Sequence, residues 1–149
     1  MPYFTRQVAQ NGSLMVVAFI GVSQPRLIAL QAAKQPVPKP VQVQAMIDTG
    51  ASCVSVDPTV LQQLSLTPTG TTSVFTPSTG AQPATLNQYD IGLMIPSTAN
   101  HPALIHATIP VIECELLAAQ GFHVLIGRDV LSRCLLTYDG QSGLFSLAY

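Results

Sequence analysis

The sequence is poor in charge, and it lacks a long hydrophobic run. Only 9% of its 149 residues are charged, the formal net charge is −1 and no basic cluster occurs, so we expect no nucleic-acid partner. The longest apolar run, residues 14–22, is about half the length that spans a bilayer, and no membrane association is predicted. Residues 1–10 lack the basic start, apolar core and cleavage site of a secretory signal. A cytoplasmic protein is therefore expected.

Cysteine is also scarce. The three cysteines are odd in number and widely spaced, with no Cys-x-x-Cys pair, and they are Cys53, Cys114 and Cys134. We interpret them as reduced thiols that pack as small hydrophobic side chains. A disulfide or a cysteine nucleophile is the less favoured alternative.

The chain is rich in apolar residues and in turn formers. Apolar residues make up 48% of the sequence, and the 12 prolines and 10 glycines are spread along it. This composition indicates a globular protein built from short strands, and residues 1–149 are predicted to form a single domain. Because three alternate positions from Pro36 to Pro40 are proline, we predict that residues 23–40 form an extended loop insertion.

Apolar alternation and turn residues predict the remaining elements. Asp57 followed by Pro58 is typical of a helix start, with Asp57 as the N-cap. Residues 70–95 read as a polar hairpin with its tip at residues 76–80. Strands are predicted at residues 14–20, 41–47, 105–112, 122–126, 135–138 and 144–147, and helical turns at 116–120 and 128–134.

Asp48 lies in an unfavourable position for a charged side chain, directly after an apolar strand. Asp48 is the first acidic residue of the chain, and it follows an apolar strand and enters a tight Thr-Gly turn. A charge at the end of a buried strand costs free energy, which suggests a chemical use. About eighty residues later, two apolar residues precede Gly127 and a short helix, so that one strand can pass closely behind another loop.

Together these two segments resemble the retropepsin-like aspartic proteases, the single-domain relatives of pepsin. The resemblance is carried by residues 47–52 and 125–129, and it extends from about residue 14 to the C-terminus. The hairpin around Gly80 falls where that family carries its flap. The resemblance implies an all-β fold, a closed and mostly antiparallel β-barrel with a flap hairpin and one or two short helices. It also implies an aspartic endopeptidase that is a homodimer and acts on peptide or protein substrates.

The chemistry requires two carboxyl groups, because amide hydrolysis by water needs a base and an acid. Two carboxyls in contact share one proton and serve both roles, as is known for aspartic proteases. This chain has one Asp-Thr-Gly, so the partner should be the same residue of a second identical chain. The expected catalytic residues are Asp48, Thr49 and Gly50. The expected substrate-binding residues are Ala51, Ser52, Ser78, Thr79 and Gly80. Structural support is expected from Ile126, Gly127 and Arg128.

One departure from the family pattern concerns the later motif. Viral members often carry an acidic residue four positions after the catalytic aspartate, and it pairs with an arginine after the later glycine. Here that position is Ser52, so Arg128 needs another partner.

Two other classes of function compete with this interpretation. A catalytically silent peptide-binding or dimerisation module on the same fold is the first alternative. A zinc or cysteine hydrolase is the second, but His101, His106 and His123 have neither a His-Glu-x-x-His nor a two-His-carboxylate spacing. We therefore expect no metal and no cofactor.

Overall fold

Short strands alternate with three short α-helices in the part of the chain that the structure, a computed structural model, describes: residues 1–75, 79–98 and 100–149. The strands are β1 (Tyr3–Gln7), β2 (Met15–Val22), β3 (Val41–Ile47), β4 (Ser55–Val56), β5 (Gly70–Val74), β6 (Ala84–Ile95), β7 (Leu104–Glu113), β8 (Val124–Ile126), β9 (Leu135–Asp139) and β10 (Leu144–Ala148). The helices are α1 (Gln24–Ala32), α2 (Pro58–Gln63) and α3 (Arg128–Leu131), with a 3-10 turn at Ala118–Gln120. No helix among these residues is long and apolar enough to cross a membrane.

Six of the strands close into a barrel. They neighbour one another in the order β2-β3-β8-β4-β7-β6, and β6 pairs back onto β2, while β5 extends the sheet beyond β6. The β3–β8 and β4–β7 pairs are parallel and the others are antiparallel. Alternate residues of each strand point inward and form the core, as Val16, Ala18 and Ile20 of β2 do. The predicted closed, mostly antiparallel β-barrel is confirmed.

A second, three-stranded sheet lies outside this ring, in the order β1-β10-β9. Phe4, Phe145 and Leu147 lie on its inner face and are almost completely buried. Sequence reasoning did not predict β1, which combines polar and apolar residues without a clean alternation.

The helix and turn signals place α2 and the 3-10 turn correctly. Asp57 is the N-cap of α2, and its carboxylate accepts a hydrogen bond from the Thr59 amide. Gly121 ends the 3-10 turn with φ of 80°, a left-handed conformation that glycine adopts without strain. Helix α3 is shorter than predicted and ends at Leu131.

The prediction of an extended loop over residues 23–40 is wrong for α1. Pro25 lies in the first turn of that helix, where a missing amide hydrogen costs nothing, and the Ser23 hydroxyl accepts from the Arg26 amide. The proline-rich segment follows the helix instead of interrupting it, and residues 35–40 form neither helix nor strand. The prediction that residues 1–149 are one domain stays a prediction.

The predicted hairpin is formed by β5 and β6, which pair antiparallel from Gly70 opposite Gln88 to Val74 opposite Ala84. Thr79 and Gly80 lie in the connection between the two strands, and Gly80 has a left-handed φ of 58°. The predicted flap residue Ser78 lies outside the described residues.

Candidate active site

Asp48 lies at the C-terminal end of β3, where the strand leaves the barrel. Ile47, directly before it, is buried and stands opposite Ile126 in the parallel β3–β8 pair. The Asp48 amide donates to the carbonyl of Ile126 over 3.0 Å, which continues that ladder by one residue. The predicted supporting strand, β8, therefore fixes the position of Asp48 relative to the barrel.

The carboxylate of Asp48 is oriented by its own turn. The Gly50 amide donates to Asp48 Oδ1 over 2.8 Å, and the Ala51 amide donates to the Asp48 carbonyl over 3.2 Å. A Cβ at position 50 would lie 3.0 Å from Oδ1, so glycine lets the backbone come this close to the carboxylate. Among the described residues, no hydrogen bond to Oδ2 is present, and Asp48 is half-buried. One oxygen is held and the other is available.

Arg128 bonds to the backbone of the Asp48 turn, because Ser52 has no carboxylate with which it could pair. Its Nη1 donates to the carbonyl of Thr49 over 2.8 Å and to the carbonyl of Gly50 over 3.1 Å. Its backbone amide donates to the carbonyl of Ala51 over 2.9 Å. The missing acidic residue is thus replaced by backbone carbonyls of the turn itself. Arg128 holds three consecutive carbonyls without engaging the Asp48 carboxylate.

Gly127 lets the later motif pass directly behind this turn. A Cβ there would lie 2.6 Å from the carbonyl carbon and oxygen of Cys53 and 2.8 Å from its amide nitrogen. These are backbone atoms that cannot move aside as a flexible side chain could. The close passage expected from the sequence is present, and it requires glycine for space, not for an unusual φ.

Asp129 is a supporting residue that sequence reasoning did not identify. Its Oδ2 accepts from the Val54 amide and its Oδ1 from the Val130 amide, both over 2.9 Å. It therefore ties the start of α3 to the segment that follows the Asp48 turn. The available signal was an acidic residue in the first turn of a helix, which predicts the local bond and not the one across 75 residues.

A cavity of about 340 Å³ adjoins the turn and joins it to the hairpin. Its wall on the turn side is formed by Ser52 and Cys53, and its wall on the hairpin side by three residues of β5, Thr72, Ser73 and Val74. The remaining lining residues are Gln88, Pro110, Val111, Ile112 and Asp129. The structure thus brings the segment after Asp48 and the base of the predicted flap to one cleft. The contribution of β6 and β7 to the cavity wall was not predicted, because these strands lie far from Asp48 in the sequence.

Two other aspartates of the chain, Asp57 and Asp139, have structural partners. Asp57 accepts from the Thr59 amide and hydroxyl through Oδ1 and from the Leu116 amide through Oδ2. Asp139 accepts from the Gln141 and Ser142 amides and from the Ser142 hydroxyl, which stabilises the β9–β10 turn. Both oxygens of each are engaged, unlike those of Asp48.

The thiols and imidazoles do not assemble a second centre. Burial raises the pKa of the Cys53 thiol; a hydrogen bond with Ser52 lowers it, and the charge of Asp129 raises it further, with the net shift upward. A raised pKa leaves less thiolate, which disfavours a cysteine nucleophile. Within residues 1–75, 79–98 and 100–149, no group of three or more His, Cys, Asp or Glu side chains has the arrangement of a metal site.

Comparison with known proteins finds a likeness among solved structures. No family model matches the chain, and no curated protein does either. Among solved structures, a retropepsin-like aspartic protease from Rickettsia conorii matches with a TM-score of 0.57 and 18% sequence identity. The match covers 99% of this chain and 90% of that one. The fold is retropepsin-like.

The retropepsin-like fold accounts for the whole chain and not only for the two motifs, since the match extends over 99% of it. Helix α1 and strand β1, which the sequence did not predict, therefore lie within the matched region. In this fold, Asp48 leaves the barrel at the end of β3, and the β5–β6 hairpin adjoins the same cleft.

Proposed function

We propose that this protein is an aspartic endopeptidase in which two Asp48 carboxylates, one from each subunit of a homodimer, activate a water molecule. The observation that carries the proposal is that only one oxygen of the Asp48 carboxylate, Oδ1, accepts a hydrogen bond from a described residue, the Gly50 amide. The turn itself is held by Arg128, which donates to the carbonyls of Thr49 and Gly50. A turn held by other groups leaves its carboxylate available for a reaction. The retropepsin-like fold agrees with this chemistry.

The reaction follows from sharing one proton between two carboxyls. The ionised carboxylate takes a proton from water, whose oxygen attacks the carbonyl carbon of the peptide bond, while the protonated carboxyl donates its proton to the carbonyl oxygen. The tetrahedral diol then collapses: one carboxyl protonates the leaving nitrogen, the C–N bond breaks and a hydroxyl proton returns to the other. Two products leave, and the pair again holds one proton. A single subunit supplies one such group and should be inert.

The remaining predicted site residues take supporting roles in this proposal. The Thr49 hydroxyl would bond across the two-fold axis and keep the two turns in register. Ala51 leaves room for the substrate backbone, and Ser52 forms part of the cavity wall. Thr79 and Gly80 in the hairpin connection, together with the predicted flap residue Ser78, would close over a bound peptide and exclude water.

The lining of the cavity suits an uncharged side chain of the substrate. Val74, Val111 and Ile112 give it apolar surface, and its hydroxyl and amide groups are uncharged. Its one carboxylate, Asp129, already accepts two backbone amides. No lysine or arginine lines it, in keeping with the absence of both from residues 41–127. We expect cleavage beside uncharged, hydrophobic or small polar residues.

The decisive experiment compares the wild type with Asp48→Asn on a peptide library across acidic to neutral pH. We expect the variant to lose at least about 1000-fold in cleavage rate, because it can neither give nor take the shared proton. Asp90→Asn is the matched control and should retain activity, because Asp90 lies within β6 and is not among the residues that line the cleft cavity.

The dimer is tested in the same assay. Below the dissociation constant, wild-type rate should rise with the square of protein concentration and be suppressed by pepstatin. Adding an equal amount of Asp48→Asn subunits to a tight dimer should reduce the wild-type rate to about half, since mixed dimers carry one competent carboxyl. A wild type as inactive as Asp48→Asn at every pH would favour the silent peptide-binding module instead.

A further inference from the structure

Another cavity, of about 330 Å³, lies between α1, the proline-rich segment that follows it and the end of α2; we call it the α1 cavity. Arg26 and Leu30 line it from α1, and their spacing of four residues sets both side chains on one face of the helix. Its other lining residues, all apolar except the last, are Val22, Pro36, Val37, Pro38, Leu64 and Ser65. It shares no lining residue with the cleft cavity.

The α1 cavity lies at the opposite end of β3 from Asp48. Residues 36–38 precede β3, which begins at Val41, and Asp48 follows its last residue, Ile47. A strand of seven residues spans about 23 Å. A ligand bound in the α1 cavity is therefore remote from the carboxylate, and the proposed function gives this cavity no role.

The segment that lines the α1 cavity carries positive charge and no negative charge. Residues 23–40 contain Arg26, Lys34 and Lys39 and no acidic residue, whereas the remaining sequence carries three arginines and all seven acidic residues. The three side chains are exposed, and none of them makes a hydrogen bond or an ion pair with another described residue. Unpaired cations beside an apolar cavity attract a ligand that carries carboxylates.

Lys34 adopts a backbone conformation that suits glycine better than lysine. Its φ is 54°, in the left-handed region, directly after Ala33, the C-cap of α1. Ser65, which lines the cavity, has a φ of 51° in the same position after α2. A side chain at such a position costs stability that glycine would not. Positions of this kind are common where a ligand is held, which supports a binding role for the Lys34 side chain.

The proline-rich segment also offers main-chain groups to a ligand. Pro36 and Pro38 have no amide hydrogen, and neither the amide nor the carbonyl of Val37 makes a hydrogen bond with a described residue. The Val37 residue between the two prolines is 39% exposed. An extended peptide presents both a donor and an acceptor and can therefore satisfy both groups of Val37.

We propose that the α1 cavity binds an acidic segment of a partner protein. One apolar side chain of that segment enters the cavity and contacts Leu30 and Val37. The carboxylates that flank it in the partner's sequence pair with Arg26, Lys34 and Lys39. The proposal is independent of the proposed function, because Asp48 takes no part in it.

Two other occupants fit the observations less well. A flat lipid surface does not fill a concave apolar lining, and it would contact Ile28, which is 56% exposed but does not line the cavity. A second copy of this chain offers few free carboxylates, because most of its acidic side chains already accept hydrogen bonds from the chain itself. These side chains are Asp48, Asp57, Glu113, Asp129 and Asp139.

The first test measures binding of fluorescently labelled short peptides to the whole protein. Each peptide has one apolar residue, Val, Leu, Ile, Met or Phe, flanked on both sides by Asp and Glu, and in its counterpart Lys replaces every acid. We expect at least one acidic peptide to bind at least tenfold more tightly than its counterpart, and to weaken as salt is raised. Asp48→Asn should bind it equally, so a failure of the proposed function leaves this result unchanged. Acidic peptides that bind no better than their counterparts would overturn the proposal.

The second test introduces a carboxylate at one of two exposed apolar residues. Val37→Asp places it in the lining of the cavity and should weaken binding of the selected acidic peptide at least tenfold. Ile28→Asp is the matched control, because Ile28 is exposed on the same segment but outside the lining, and it should weaken binding less than threefold. Binding to phosphatidylglycerol vesicles that Ile28→Asp weakens more than Val37→Asp does would overturn the proposal in favour of a lipid surface.

The third test moves the same loss of charge to two places. Lys34→Gly combined with Lys39→Gln should weaken peptide binding at least tenfold, and urea unfolding should show no loss of stability from Lys34→Gly, since glycine adopts its φ without strain. Arg6→Gln combined with Arg133→Gln removes the same charge outside residues 23–40 and should leave binding within threefold of the wild type. Equal weakening by the two double variants would mean that net charge alone attracts the peptide, and it would overturn the site.

Discussion

The turns at Asp48 and Asp57 lie nine residues apart and begin in the same way. Each aspartate follows an extended segment, and each accepts the amide two residues onward through Oδ1, over 2.8 Å from Gly50 and 3.0 Å from Thr59. In the sequence both are plausible caps or turn residues. The structure separates them by what else holds the turn.

Asp57 holds its turn with its carboxylate. The side chain is 3% exposed, and both oxygens are used, one by Thr59 and the other by the Leu116 amide. The Asp48 turn is instead held by Arg128 and by the backbone of β8, through bonds to the carbonyls and amide of the turn. The comparison shows that a carboxylate is available for chemistry when other hydrogen bonds, here to the backbone of the turn, hold the turn in place.

The strongest way to break this comparison is to disturb the back of the Asp48 turn. Gly127→Ala places a Cβ 2.6 Å from the backbone of Cys53, so the two segments must move apart. We expect a loss of about 3 kcal/mol in unfolding free energy and loss of the Asp48 geometry. Urea unfolding and peptide cleavage measure the two effects.

Gly70→Ala is the control for that change, because nothing lies within 4 Å of a Cβ at Gly70 and its φ is not left-handed. Its unfolding free energy should change by no more than about 0.5 kcal/mol. Equal stability of the two alanine variants would show that backbone contact behind the turn is not what holds it.

The comparison is sharpened by one isosteric substitution in each turn. Asp57→Asn replaces the acceptor of the Leu116 amide by a donor, so we expect a loss of about 2 kcal/mol in unfolding free energy. Asp48→Asn keeps the oxygen that Gly50 needs and turns its amide nitrogen to the open side, so its stability should change by less than about 0.5 kcal/mol. Thermal or urea unfolding of both variants measures this, and an inverted order would contradict the division of roles.

The sequence predicted the Asp48 turn well because its determinants are local or sterically strict. An apolar strand, a Thr-Gly turn and a glycine between a strand and a short helix leave few arrangements, and the structure adopts the expected one. Asp57 was assigned correctly for a similar reason, since an aspartate before proline is a strong helix start. Contacts that depend on backbone shape are thus readable from residue type.

Long-range partners and weak local signals were not predicted. Arg128 finds backbone carbonyls, which every residue carries and no pattern reveals. Helix α1 has no buried residue, so it shows little periodicity. The closely spaced prolines from Pro36 to Pro40 indicated an extended chain for the whole segment, although they follow the helix and Pro25 lies in its first turn. The cavity wall from β6 and β7 follows from barrel closure, a property of the whole sheet.

The smallest expected effect is the acid dependence of the Asp57 turn. Burial alone would raise the pKa of Asp57, but hydrogen bonds from the Thr59 hydroxyl and the Leu116 and Thr59 amides, with the charge of His123, outweigh it and lower the pKa below its usual value. A lowered pKa means that the ionised carboxylate contributes stability above about pH 4 and loses it as the pH falls through the folded-state value. The urea midpoint of the wild type should therefore approach that of Asp57→Asn between about pH 4 and pH 2. Asp139, whose pKa is lowered chiefly by the Ser142 hydroxyl, titrates in the same direction but is present in both proteins, so the difference between the two midpoints isolates Asp57. A difference that stays constant down to pH 2 would mean that the shape of the side chain, and not its charge, holds the turn.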